Sequence, residues 1–228
     1  DRVVNLRRIA DVISEINADL IALQEVDVEK SAGGSRTQAE TIGEILDLRS
    51  IYFPLEQKGR HFYGLAVLSR FPITDVHFLR LPNLFQMIGT RKRGALYVTL
   101  HTPVGPMHLI NTHLSVFKVE RRRQLNSLLS EWYPEKEPID VPLIFCGDLN
   151  AGPSSHTYQT LAERLVDVQL VSKEAALQQG TFHARSPVFR IDHIFVSHHL
   201  TPLRVEIKRT SLTTAASDHL PLIAELAS

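Results

Sequence analysis

Apolar residues recur at helical spacing near the start of the chain, from Leu6 through Ile9 and Ile13 to Ile16, with charged residues opposite them. This pattern predicts an amphipathic helix that ends around 17–19. Three more helices are predicted, at 38–47, 118–132 and 154–164.

Short apolar runs bounded by Gly, Pro and polar residues predict strands. Two of them, "LIALQEV" and "VPLIFCGDLN", are typical of strands that are buried on both faces. The remaining predicted strands are "FYGLAVLSR", "VHFLRL", "RGALYVTLHT", "GPMHLINTHL", "RIDHIFVS", "LRVEIK" and "LPLIAEL", of which "RGALYVTLHT" and "GPMHLINTHL" form a hairpin. Because the helices interrupt the strands irregularly, the pattern favours two packed sheets with helices outside over a regular βαβ array.

Composition leaves the partner open. The 228 residues contain 25 Lys+Arg and 25 Asp+Glu, so no global charge draws the chain to nucleic acid or to a membrane. One cysteine excludes an internal disulfide, and no apolar stretch reaches the roughly 18 residues of a spanning helix. We therefore expect one domain over residues 1–228 and a cytoplasmic monomer, while secretion stays open because the chain starts at Asp1 without Met.

Polar side chains that suit catalysis lie at the ends of five predicted strands. A polar group just past a buried strand is held rigidly while it faces a cleft. Any one of these residues alone is more typical of a turn, a helix cap or, for His113 and His193, the core. The set comprises Glu25, Asn111, His113, Asp148, Asn150, Asp192, His193, Asp218 and His219.

Taken together, the set matches the hydrolysis of a phosphoester. Carboxylate and amide oxygens suit Mg²⁺ or Mn²⁺, and histidines supply proton transfer or phosphate contacts near neutral pH. In-line hydrolysis needs an attacking water, a cation to offset charge on oxygen, and protonation of the leaving group.

The motifs "LQEV", "NTHL", "GDLNAGP", "RIDHIFVS" and "SDHLPL", in this order and over nearly the whole chain, resemble the endonuclease/exonuclease/phosphatase superfamily. The resemblance implies a DNase I-like four-layered α/β sandwich, in which helices flank two packed, mostly antiparallel sheets. It also implies cleavage of phosphoesters with a divalent metal, Mg²⁺ or alternatively Mn²⁺.

By this resemblance Glu25 is the main metal ligand and Asp218 supports it. His113 acts as general acid or phosphate contact. Asp148 and Asn150 position and polarise the attacking water and the scissile phosphate.

The resemblance further implies that His219 contacts the phosphate and that Asp192 orients its imidazole. Arg93 resembles a position that often supplies a phosphate-binding Arg, with Arg91 as the alternative. Tyr63 precedes a Gly as in many relatives, but we favour its interpretation as an ordinary strand aromatic.

Two departures from the family pattern bear on these expectations. Relatives begin with a strand ending in an Asn that helps build the metal site, so we expect this chain to lack that first strand. Leu65 stands where relatives often carry Asn, which predicts the loss of a pocket contact.

The substrate stays open between nucleic acid and a phosphorylated small molecule. We favour a phosphodiesterase or nuclease-like enzyme over a phosphomonoesterase or a non-catalytic binding module. A zinc or serine hydrolase has little support, since neither His-Glu-x-x-His nor Gly-x-Ser-x-Gly occurs. The run Arg121 to Arg123 is interpreted as a solvated helix face rather than a phosphate contact.

Overall fold

The computed structural model describes residues 4–31, 34–58, 61–85, 91–132, 141–171 and 180–228. The helices are α1 (Leu6–Ile16), α2 (Gln38–Leu46), α3 (Lys118–Trp132), α4 (His156–Ala162), α5 (Val168–Val171) and α6 (Ser211–Ala216). The strands are β1 (Leu20–Val26), β2 (Val28–Ser31), β3 (Gly34–Thr37), β4 (Arg49–Lys58), β5 (His61–Ser69), β6 (Ile73–Arg80), β7 (Gly94–Thr102), β8 (Gly105–His113), β9 (Leu143–Asp148), β10 (Val166–Asp167), β11 (Asp192–Val196), β12 (Thr201–Ile207) and β13 (Leu222–Ala227). No helix within the described ranges is both long and apolar enough to span a membrane.

Side-chain caps fix the ends of the first two helices. The Asn5 side chain accepts a hydrogen bond from the backbone N–H of Arg8, and α1 ends at Asn17 in the left-handed conformation. Thr37 and Glu40 form a capping box at the start of α2. Both predicted helices are confirmed, because caps and apolar spacing agree.

One long strand escaped the sequence pattern, because β4 carries several polar residues and a proline. Its pairing with β5 shifts register between Pro54 and Glu56, which accommodates the missing N–H of the proline. The strand lies at the edge of the three-stranded sheet β1-β5-β4, where such a break is tolerated. The hairpin β2-β3 and the short helix α6 were also not predicted.

A six-stranded sheet with the order β10-β11-β9-β8-β7-β6 dominates the fold. Its pairs are antiparallel, except that β8 runs parallel to β9. In this register His113 lies beside Asp148, and Asp148 lies beside Asp192. Three predicted site residues therefore lie side by side at the ends of three adjacent strands.

Three apolar clusters divide the molecule into four layers. The central cluster joins β4 and β5 to the facing sides of β7, β8, β9 and β11, and the hairpin β12-β13 adds to it. A second cluster packs α3 and α4 against the far face of the large sheet, and a third packs α1 and α2 against the far face of the small sheet. The predicted sandwich of two sheets flanked by helices is confirmed.

Gly147 permits the close approach of two strands just before Asp148. Its φ is +138°, and a Cβ at this position would lie 1.9 Å from the carbonyl oxygen of Thr112. Any larger residue would therefore push β9 away from β8 and disturb the row of site residues.

Gly147→Ala should lower the free energy of unfolding by about 3 kcal/mol or more, through backbone strain together with a steric clash. Gly105→Ala is the matched control, because its φ is +121° but a Cβ there meets nothing within 4 Å. Strain alone should cost the control about 1 to 2 kcal/mol. Urea denaturation measures both values, and equal losses would contradict the close approach.

Candidate active site

His113, Asp148 and Asn150 form one hydrogen-bonded group at the ends of β8 and β9. His113 Nε2 lies 3.2 Å from Asp148 Oδ2 and 3.1 Å from Asn150 Nδ2. The Asn150 backbone N–H donates to Asp148 Oδ1 at 2.8 Å, and its amide donates to the carbonyl of Leu114 at 2.9 Å. Asn150 adopts a left-handed φ of 48°, which turns its side chain back toward the histidine.

Asp148 is a buried carboxylate whose charge is stabilised by its neighbours. Burial by itself would raise its pKa, but the hydrogen bond and charge of His113 and the N–H of Asn150 lower it overall. Asp148 is therefore ionised at neutral pH and can accept a proton or a hydrogen bond.

A second group pairs Asp192 with His219. His219 Nδ1 lies 2.7 Å from Asp192 Oδ2, and the Thr181 hydroxyl donates to the same oxygen at 2.5 Å. Burial would lower the pKa of His219, yet the hydrogen bond and charge of Asp192 outweigh it and raise the pKa to about 9. The imidazole is thus a cation at neutral pH. Thr181 gave no signal in the sequence, since a single threonine in a loop is common.

The two groups lie close to each other. Ligand atoms of Asp148, Asp192 and His219 all fall within 4.8 Å of one another. An ionised carboxylate and a cationic imidazole therefore face the same small volume, which suits a water on one side and an anion on the other.

Tyr63 contacts three of the predicted site residues, which its interpretation as an ordinary strand aromatic did not anticipate. Its hydroxyl lies 3.1 Å from Glu25 Oε1 and 2.9 Å from His113 Nδ1, and it accepts a hydrogen bond from Arg93. Burial is the main reason that its pKa is raised above the usual value. Arg91 stacks over the ring, with its guanidinium carbon 5.0 Å from the centroid. The aromatic ring is in the core while the hydroxyl reaches the site, a division that alternation along β5 does not reveal.

Glu25 is aimed outward by a bulge in β1. The pairing with β5 shifts after Leu23, and Glu25 itself adopts a left-handed φ of 58°. The preceding Gln24 donates to Asn111 Oδ1 at 2.7 Å, and the Asn111 amide donates to the carbonyl of Leu23 at 2.9 Å. These amide contacts join the two sheets directly beneath Glu25.

Asp218 is exposed, and within the described ranges its carboxylate forms no hydrogen bond or ion pair. Its backbone carbonyl accepts from Ala184 N–H at 2.7 Å, which fixes the chain just before His219. Among described residues the close group of ligand atoms does not include Asp218 or Glu25. Their joint metal site stays a prediction.

Three further expectations meet the structure differently. His193 is a core histidine as favoured, with Nε2 2.8 Å from the carbonyl of Ala151 and a pKa lowered by burial. Arg121 is buried and donates to the carbonyl of Ser115 at 2.9 Å, so the solvated-face interpretation holds only for Arg122 and Arg123. Leu65 is fully buried between the sheets and does not line the site.

Comparisons with known proteins agree with the order of the motifs. The model of the "Endonuclease/Exonuclease/phosphatase family" matches residues 1–219. Protein cwh43 of Schizosaccharomyces pombe is 24% identical over 164 residues, which cover 71% of this chain and 16% of that protein. The chain therefore spans only a small part of this curated relative.

Solved structures show the same fold. An endonuclease/exonuclease/phosphatase from Beutenbergia cavernae has a TM-score of 0.80 at 23% identity, covering 99% of this chain and 66% of its own. The catalytic domain of human Nocturnin, with bound sulfate anion, has a TM-score of 0.76 at 23% identity, covering 97% of this chain and 85% of its own. The architecture is the DNase I-like sandwich.

Asp192→Asn should lower the pKa of His219 from about 9 toward its ordinary value, because the carboxylate charge that holds the proton is removed. Titration of the metal-free protein followed by NMR of the histidine ring signals measures this shift. His108, inside β8 and five residues before His113, serves as internal control and should titrate unchanged. An unchanged His219 titration would contradict the pairing.

Proposed function

The chain belongs to the endonuclease/exonuclease/phosphatase family, and from this premise we propose that it is a divalent-metal-dependent phosphodiesterase. The observation that carries the proposal is the cation of His219 facing the carboxylate of Asp148 across a few ångströms. A phosphodiester bound between them has its oxygens against positive charge and its phosphorus beside a group that takes a proton from water.

Glu25 and Asp218 would hold the metal. Both carboxylates are exposed at the site, and hard cations such as Mg²⁺ and Mn²⁺ prefer oxygen ligands of this kind. Tyr63 donates to only one oxygen of Glu25, so the other is left for a cation. The cluster of Asp148, Asp192 and His219 fits a metal less well, since His219 Nδ1 and Asp192 Oδ2 are already hydrogen-bonded to each other at 2.7 Å. When bound, the metal would offset negative charge on the phosphate oxygens.

Asp148 and Asn150 would position the attacking water. The ionised Asp148 carboxylate accepts a proton from the water, while the Asn150 amide, fixed by the carbonyl of Leu114, orients it. The water oxygen forms a bond to phosphorus, the bond to the leaving oxygen breaks, and that oxygen takes up a proton. The products are a phosphomonoester and an alcohol.

Positive side chains around the Asp148 carboxylate would bind the phosphate. His219, oriented by Asp192, presents its Nε2 to the phosphate, and Arg93 is held close by Tyr63. His113 lies between Tyr63 and Asp148, where it contacts the phosphate or supplies the proton for the leaving oxygen. Local cations thus recognise an anion in a chain with no net charge.

We expect hydrolysis of bis-p-nitrophenyl phosphate with Mg²⁺ or Mn²⁺, and slower hydrolysis of p-nitrophenyl phosphate. His219→Ala and Asp148→Asn should each lower kcat about 100-fold or more, because each removes charge or proton transfer at the reacting atoms. Release of p-nitrophenol measures the rates.

Asp75 and His77 provide matched controls, because they form an exposed Asp-His pair at 2.9 Å outside the site. Asp75→Asn and His77→Ala should retain full activity. A preference for the monoester would favour the phosphomonoesterase alternative, and absence of hydrolysis with every metal would favour a binding module.

A further inference from the structure

Two exposed segments that flank the site combine apolar and cationic side chains. The first rim segment is residues 116–123, which begins three residues after His113 and thus within about 10 Å of it. The second rim segment is residues 182–189, in which the Phe182 ring lies 4.8 Å from the His219 ring. The segments therefore border opposite groups of the site.

Large apolar side chains are exposed in both segments, and several are more than half exposed. In the first segment Val116, Phe117 and Val119 are 60%, 41% and 60% exposed; in the second Val188 and Phe189 are 70% and 59% exposed. Among the other described residues, the large exposed apolar side chains lie at least four positions apart along the chain. Exposed apolar residues that are grouped beside a site indicate a surface that binds a partner.

Packing holds the first rim segment in this exposed position. The Phe117 ring lies 5.1 Å from the Phe85 ring, and the buried Glu120 carboxylate accepts from the backbone N–H of Leu84 at 2.5 Å. Arg121 donates to the carbonyls of Ser115 and Val116. The two internal charges of the segment are therefore engaged with backbone groups beneath the surface.

The charges that remain exposed are positive. Lys118, Arg122 and Arg123 are exposed on α3, where Lys118 neighbours Arg122 and Val119 neighbours Arg123 at helical i,i+4 spacing. In the second rim segment Arg185 is exposed, and its carbonyl accepts from the exposed Arg209 at 2.7 Å. Both segments thus present aromatic or aliphatic groups interleaved with cations.

We infer that the two rim segments dock on an anionic lipid bilayer and bring a lipid-linked phosphodiester to the site. Apolar side chains that enter the boundary between headgroups and acyl chains, with cations against anionic headgroups, are the combination by which proteins bind a membrane surface. A soluble nucleic acid would use the cations but would leave the aliphatic side chains in water. The docking stands on the rim segments alone, whereas turnover of a lipid rests on the proposed function.

Co-sedimentation of the full 228-residue chain with vesicles tests the docking. The chain should bind phosphatidylcholine vesicles that contain phosphatidylserine, and binding should weaken with salt and without phosphatidylserine. Arg122→Ala combined with Arg123→Ala should weaken binding about 25-fold, because each cation near an anionic surface contributes about fivefold. Phe117→Ser combined with Val119→Ser should weaken it about tenfold or more.

The matched control combines Val104→Ser with Leu203→Ser, which removes two apolar side chains outside the rim segments that are more exposed than Phe117 and Val119. Control binding should equal that of the parent chain. Absence of vesicle binding, or equal losses in the control and the rim variants, would overturn the docking and leave a protein partner as the occupant.

Hydrolysis measured in parallel separates the two proposals. Rim variants should hydrolyse soluble bis-p-nitrophenyl phosphate normally but lose hydrolysis of a phosphatidylethanolamine with a fluorescent headgroup in the same vesicles. Vesicle binding without hydrolysis of either substrate would overturn the proposed function while supporting the docking. Hydrolysis of the soluble substrate without vesicle binding would do the reverse.

Discussion

The pairing of β8, β9 and β11 is the constraint on which the site depends. Parallel pairing of β8 with β9 and antiparallel pairing of β9 with β11 place His113, Asp148 and Asp192 in one row. A slip by one residue would move every side chain of a strand to the opposite face of the sheet, so the packing of the two faces specifies the register. The core of the large sheet therefore positions the reactive groups, and Gly147 permits the approach that this register requires.

Hydrogen-bond partners hold two neighbouring site residues in opposite charge states. Asp148 is kept ionised by His113 and Asn150, whereas His219 is kept protonated by Asp192. Because their environments differ, an acid and a base coexist a few ångströms apart at neutral pH. Tyr63 links the first group to Glu25 and Arg93, so the carboxylate at the end of β1 shares hydrogen bonds with the end of β8.

Much of this arrangement could be predicted from the sequence. Apolar runs and helical spacing predicted the layered sandwich, and the family resemblance of the motifs implied the pairs Asp148 with Asn150 and Asp192 with His219. The spacing of apolar residues indicates which face of a helix or strand is buried, and this was enough to predict the layers.

The spacing of apolar residues is less informative where one residue contributes to both the core and the site. Tyr63 has its ring between the sheets and its hydroxyl at Glu25, so it reads as a core aromatic. Thr181 lies in a loop whose position depends on tertiary contacts. The strand β4 contains a proline, which mainly edge strands tolerate, so its pattern did not predict a strand. The sequence also did not reveal that the apolar side chains after His113 are exposed, because that depends on how the segment before and within α3 packs.

The location of a bound metal tests the central claim most directly. Crystals grown with Mn²⁺ and measured near the manganese absorption edge should show an anomalous peak between the carboxylates of Glu25 and Asp218, and Glu25→Gln should lower its occupancy. A peak between Asp148, Asp192 and His219, or no peak near either group, would contradict the assignment of ligands, water-activating groups and phosphate contacts.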